Sequence, residues 1–323
     1  MRCSKKSNRL LQVLSLTVFA MPLAAVAVSG SYSTLAAVTF ATVESAAKAQ
    51  TSLLSVTQQQ TITDLLTSQP LTAAMVLQDL QTGETFSHNA DAKMPLMSVF
   101  KLPLGVLVLR QVAAGTLQLD QQITVQRASL LQNTWSPMLK LYPAATFSIS
   151  VRELLELSVA QSDNNACDLL FSLVGGPAAL QQYLQQLGLR DVQIELDEKG
   201  LHQHFSAQYQ NWISATAAAS FLRQLASGNL LPAAEQKVLW QWLVDTPTGK
   251  QRIKAGLPAG AELAHKTGTG GSDDNQLQAA INDIGIVTLA NGKRYALVLL
   301  FKDITLPQPQ AEALMAEITR QLF

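Results

Sequence analysis

Apolar positions along the chain fall into three regimes. Residues 10–28 form a nearly continuous apolar run behind Arg2, Lys5, Lys6 and Arg9. From Leu53 onward, Leu54, Ile62, Leu65 and Leu66 recur at helical spacing and predict a helix that closes before Pro70. The stretches 72–80 and 84–88 flank Gln81-Thr82-Gly83 and predict a β-hairpin. Between 98 and 244 the pattern is overwhelmingly helical, with helices expected at 98–114, 151–157, 165–173, 178–187, 216–226 and 233–244. Gly175-Gly176-Pro177 and Gly188 mark stops among them. The tail returns to strands at 264–269, 283–289 and 294–302, the last two joined at Asn291-Gly292, and ends in a helix at 310–322.

Strands and helices at both ends therefore enclose a helical middle. This order predicts an α/β layer plus an all-α part: 50–97 and 245–323 build the layer, and 98–244 is an inserted helical domain. A cleft between the two is the expected ligand site. No long linker and no internal repeat interrupts residues 51–323.

Composition changes the picture mainly at the N-terminus. The chain has 323 residues, 48% hydrophobic and 14% charged, with 23 basic against 23 acidic residues. Disordered, collagenous and coiled-coil compositions are excluded, and the balanced charge argues against nucleic acid as a partner. The basic start followed by an apolar run reads as an export signal over residues 1–49, with small-x-small cleavage sites after Ala27 and near Ala49. A retained membrane anchor is the competing reading, weakened by Ser15, Thr17 and Pro22. Beyond residue 49 there are 18 basic and 22 acidic residues, so the mature chain carries a net charge of −4. Cys167 is then its lone cysteine and reads as a small hydrophobe. The expectation is an exported, periplasmic monomer with no stable membrane association.

Three short motifs carry candidate chemistry. Ser98-Val99-Phe100-Lys101 stands where a helix is expected to open, so Lys101 lies one turn from a serine hydroxyl that needs an adjacent base. Spacing alone is weak, since Ser45-Ala46-Ala47-Lys48 has it too. Ser162-Asp163-Asn164 falls at a break between helices, where a hydroxyl could relay a proton and an amide could hold a carbonyl, or where all three could simply cap the next helix. Lys266-Thr267-Gly268-Thr269 lies on an expected strand. Its lysine offers charge to a carboxylate and its glycine close approach to a ligand backbone; a lysine-protected edge strand is the alternative.

Together and in this order, the three motifs resemble those of class A serine β-lactamases and penicillin-binding proteins. The resemblance spans essentially the whole mature chain and implies a serine β-lactamase-like fold, an antiparallel sheet flanked by helices with an inserted helical domain. Ser-Asp-Asn fits neither the tyrosine motif of class C nor the Ser-x-Val of class D. Class A adds a deacylating glutamate, usually in Glu-x-x-Leu-Asn; here Glu198-Lys199-Gly200-Leu201-His202 matches except that His202 replaces asparagine. That departure is similar to the extended-spectrum subgroup containing PER-type enzymes. The resemblance implies Ser98, Lys101, Ser162 and Glu198 as catalytic residues. It implies Asn164, Lys266, Thr267, Gly268, Thr269, Trp135 and Arg252 as substrate-binding residues. No cofactor is expected, and β-lactams are the implied substrates. Trp135 would wall the cleft or sit in the core, and Arg252 would assist Lys266 or lie on the surface. A D-alanyl-D-alanine peptidase and a non-catalytic binding protein are the competing functions. His202-Gln203-His204 raises a zinc alternative that lacks further ligands in the sequence.

Overall fold

The computed structural model describes residues 53–323; the expected export segment at 1–49 lies outside the described residues. A five-stranded antiparallel sheet runs in the order Thr85–His88, Thr72–Asp79, Arg294–Ile304, Gln278–Thr288, Glu262–Thr269. The first and last segments of the described chain thus build one sheet, as the strand patterns predict. Its two long strands are buried along nearly their whole length because helices cover both faces. On one face Ile62 and Leu66 of helix Val56–Thr67 pack with Met315 and Ile318 of helix Gln308–Leu322 against Met75, Leu297 and Leu299. On the other, Ala74, Val76, Val298 and Leu300 join a core shared with Phe100, Leu154, Phe171, Phe221 and Leu239. The helical segment has no separate core: helices Ala215–Ala226 and Ala233–Val244 pack directly on the sheet, and Gln50–Phe323 is one compact unit.

The expectation of an all-α segment over 98–244 is corrected at two places. Gln122–Gln126 and Thr146–Ser150 pair as an antiparallel hairpin, Ile123 opposite Ile149 and Val125 opposite Phe147. Only five residues alternate on each side, and nineteen intervening residues hide the pairing from a local reading. Met94–Pro95, Trp212–Ile213 and Val192–Gln193 form a second small sheet of two-residue strands. No helix among the described residues is long and apolar enough to cross a membrane.

Candidate active site

Ser98 stands on one 3-10 turn, Met97–Phe100, and the α-helix begins at Lys101, so the helix opens three residues later than the sequence pattern predicts. The cause is Met97, whose φ of +46° lies in the left-handed region. Such a conformation costs a non-glycine residue about 1–3 kcal/mol and persists only where neighbours enforce it. Here the buried Asn282 donates to Pro95 O (2.7 Å) and Leu96 O (3.1 Å), stapling the turn to the sheet. Gly268 completes the fit, since a Cβ there would come within 2.7 Å of Leu96 O and 3.2 Å of Met97 Cβ. The expectation that Gly268 admits a ligand backbone is therefore corrected: the space it leaves is filled by the chain's own 96–99 turn.

Lys101 is fully buried and four oxygens surround its amine. Nζ donates to Ser98 Oγ (2.9 Å), Ser162 O (2.8 Å) and Asn164 Oδ1 (2.5 Å). Glu198 Oε1 lies 2.9 Å away as an ion-pair partner, so four oxygens compete for three ammonium protons. A serine hydroxyl and a buried carboxylate thus meet at one buried amine.

The Ser-Asp-Asn motif divides its labour. Asp163 is the helix cap, accepting from Ala166 N at 2.9 Å, and its carboxylate also takes Met138 N and the Ser136 hydroxyl. Capping by this one residue leaves the other two free to face the cleft. Ser162, at φ +60°, points its hydroxyl at Lys266 Nζ (2.9 Å), while Asn164 spans Lys101 and Thr134 Oγ1 (2.7 Å).

Lys266 is as buried as Lys101, but its amine meets only the Ser162 hydroxyl and Thr267 O, both at 2.9 Å. Burial first, and then the charge of Lys101, hold this amine well below the ordinary lysine range. Thr267 Oγ1 lies 2.8 Å from Thr248 Oγ1. Arg252, offered as either a carboxylate ligand or a surface residue, is buried with all its donors engaged. It reaches Glu312 Oε1 through Nε and one terminal nitrogen, which also donates to Thr269 Oγ1; the other takes Gly268 O and Asn282 O. Its donors hold Gly268 O and the Thr269 hydroxyl in place, and its charge is paired with Glu312.

Glu198 opens the short helix Glu198–Leu201, capped by Asp197. Asp168, which the motifs do not contain, receives Glu198 N on one carboxylate oxygen (2.8 Å) and Lys199 N on the other (3.0 Å). Burial, and next the charge of Asp197, push its carboxyl up to about 7. The legible signal was an acidic residue set between Cys167 and Leu169 in an apolar helix. Asn211 closes the same loop by taking Glu195 N and Leu196 N and donating to Leu196 O. His202 Nδ1 lies 2.6 Å from Glu198 O and Nε2 3.1 Å from Thr134 Oγ1. Because Asn164 already donates to Thr134, that hydroxyl donates to Nε2, which leaves the ring proton on Nδ1 for Glu198 O. The departure from asparagine at this position thus keeps a link between the glutamate loop and the Thr134 segment.

Ser98, Trp135, Asn164 and Thr269 border two adjoining cavities. One, of about 460 Å³, extends past Ser162, Thr248, Thr267 and Arg252; the other, of about 350 Å³, extends past Glu198, His202, His204 and Gln208. Trp135 is 63% exposed on the shared rim, its indole N–H donating to Gln161 O, and does not belong to the core. Cys167 is buried, and burial pushes its thiol up, in keeping with a packing role. His204 Nδ1 accepts from Ala207 N, so both histidines of the zinc alternative already have a nitrogen engaged by the protein.

A hydroxyl beside a buried amine, a second lysine relayed through a serine, and a loop carboxylate define the constellation of a serine hydrolase on an antiparallel sheet. The chain belongs to the β-lactamase enzyme family, whose profile matches residues 57–323, and is a class A serine β-lactamase. It is 40% identical to the extended-spectrum β-lactamase PER-1 of Pseudomonas aeruginosa over 291 residues, 90% of this chain and 92% of that one. It is 35% identical to the β-lactamase VEB-1 of the same organism over 65% of this chain and 70% of that one. Among solved structures, a β-lactamase from Chitinophaga pinensis superposes with a TM-score of 0.79 at 37% identity, covering 82% of this chain and 97% of the other. The TLA-1 extended-spectrum β-lactamase gives 0.80 at 30%, covering 82% and 96%.

Proposed function

We propose that this chain hydrolyses β-lactams through a serine acyl-enzyme and confers resistance to them. The arrangement of Ser98, Ser162 O, Asn164 and Glu198 around one lysine nitrogen carries this reading. Ser98 attacks the lactam carbonyl while Lys101, or Glu198 through water, takes its proton. Backbone N–H groups of Ser98 and Thr269 stabilise the developing oxyanion. Ser162, bridging Lys266 and the Lys101 side of the cleft, passes a proton to the leaving nitrogen. Lys266, Thr267 and the field of Arg252 receive the substrate carboxylate, with Asn164 and Trp135 flanking the remainder. Glu198 then activates water against the ester. Export to the periplasm through residues 1–49, and action there as a monomer, belong to the same proposal; N-terminal sequencing and sedimentation of the secreted protein test both.

Turnover of a chromogenic cephalosporin by the purified mature chain tests the function. Repeated hydrolysis is expected; a slow, stoichiometric acylation would point to a peptidase of the same superfamily. Ser98→Ala should abolish covalent labelling seen by intact mass. Glu198→Gln should label and then stall; if it deacylates at the parent rate, Glu198 does not activate the water.

A further inference from the structure

His204 caps the 3-10 turn Phe205–Tyr209: its Nδ1 accepts from Ala207 N at 3.1 Å and lies 2.9 Å from Ser206 Oγ. A ring nitrogen that accepts a backbone N–H carries no proton, so the proton of the neutral imidazole is on Nε2. The ring is exposed and lines the cavity that begins at Ser98, and no described group accepts from Nε2. The cap therefore leaves one committed donor on a ring that lines that cavity.

The position of the cavity fixes what enters. In a bicyclic β-lactam the ring carboxylate and the acylamino substituent lie on opposite sides of the lactam carbonyl. With the carboxylate held beside Lys266 and Thr267, the acylamino side chain leaves Ser98 toward the other cavity, between His204 and the Gly271–Ser272 edge. Two acidic groups near this cavity, Glu198 and Asp273, are otherwise engaged. Glu198 is paired with Lys101, and the Asp273 carboxylate is turned into its own loop, accepting Asn275 N and Leu277 N. Gln208, also in the wall, is spent on Gly271 N and Phe205 O.

We infer that His204 is a specificity-determining residue that binds the terminal carboxylate of β-lactams whose acyl side chain ends in one. This rests on the β-lactamase reading and adds to it a preferred substrate class. The test compares two cephalosporins of the same nucleus, one with a methoxyimino and one with a carboxyalkyl-oxyimino side chain. The unaltered chain should show the lower KM for the carboxylated compound. His204→Asp keeps a capping side chain and replaces the donor by an anion. It should raise the ratio of the carboxylated to the methoxyimino KM by about three- to tenfold, the size of one net hydrogen bond at an accessible site. His204→Ser, also a capping residue but too short to reach, should move the ratio the same way by less.

A ratio unchanged in both variants, or KM values that rise equally for both compounds, would reduce His204 to a loop cap and overturn the inference. A parent preference for the methoxyimino compound would overturn it without any variant. Failure of the parent to turn over either compound would remove the β-lactamase reading, and the role of His204 with it.

Discussion

Lys101 and Lys266 are the same residue type, equally buried, on neighbouring sides of Ser162, yet their surroundings differ in kind. The Lys101 amine touches a carboxylate, an amide oxygen, a backbone carbonyl and the Ser98 hydroxyl. The Lys266 amine touches one hydroxyl and one carbonyl, with no carboxylate in contact, and the charge of Lys101 adds to burial in weakening its hold on a proton. One lysine is built into a compensated charge cluster. The other is left uncompensated, available to an anion that arrives from solution. Function in this cleft is divided by contact shell rather than by residue type.

The largest expected effect breaks the compensated side. Lys101→Ala should slow acylation of Ser98 by about a thousandfold or more, the range for losing a positioned base, measured as the rate of covalent labelling. It should also destabilise the fold by about 3–5 kcal/mol, because Glu198 is then buried without its counter-charge. Adding Glu198→Gln should restore part of the melting temperature but none of the acylation. A double variant no more stable than the single one would dissolve the charge cluster as an explanation.

Removing the other lysine should cost less in stability and act through a different parameter. Lys266→Ala should lower kcat/KM by about a hundredfold, mainly through KM for anionic substrates, since the amine's missing counter-charge is the substrate's own. If its denaturation midpoint falls as far as that of Lys101→Ala, the contrast between the two shells is wrong.

These environments were only partly legible in the sequence. The order of strand and helix patterns gave the shared sheet because two-residue alternation and helical spacing survive burial on both faces. Ser98, Lys101, Ser162 and Lys266 could be singled out because three short motifs, each weak alone, stand in the order that resembles class A enzymes. The 122–126 and 146–150 pairing, and the roles of Asn282, Asp168 and Thr134, depend on contacts across many residues and leave no periodic trace. Arg252 shows the limit most clearly: neither of its expected positions foresaw five donors spent on Glu312 and the backbone around Gly268. Gly268 was read correctly as a point of close approach, but the approaching group is the protein's own Leu96.

The titration of Lys266 sharpens the contrast further. Its amine binds a proton less tightly in the folded chain than the ordinary value of 10.5, so between the depressed value and 10.5 the unfolded chain carries more protons. Stability should therefore rise with pH through that window. Lys266→Met, similar in length and uncharged, should flatten this alkaline rise in melting temperature. An unchanged slope would mean that the Lys266 proton is not held against a desolvation cost.

Asp168 supplies the smallest effect on turnover and the opposite slope. Its carboxyl, raised from 3.8 to about 7, holds a proton in the folded chain that the unfolded chain has released, so stability should fall as pH climbs between those values. Asp168→Asn removes that titration while keeping one acceptor for Glu198 N. Its amide N–H₂ then faces Lys199 N and forfeits the second bond, a cost of about 1 kcal/mol. The variant should accordingly be the less stable protein near pH 4 and gain on the parent by on the order of 3–4 kcal/mol by pH 8. Deacylation should slow only severalfold, because Asp168 positions Glu198 through the backbone and touches neither water nor ester. Melting curves at both pH values check the crossing, and parallel curves would show that Asp168 is ionised in the folded chain across this whole range.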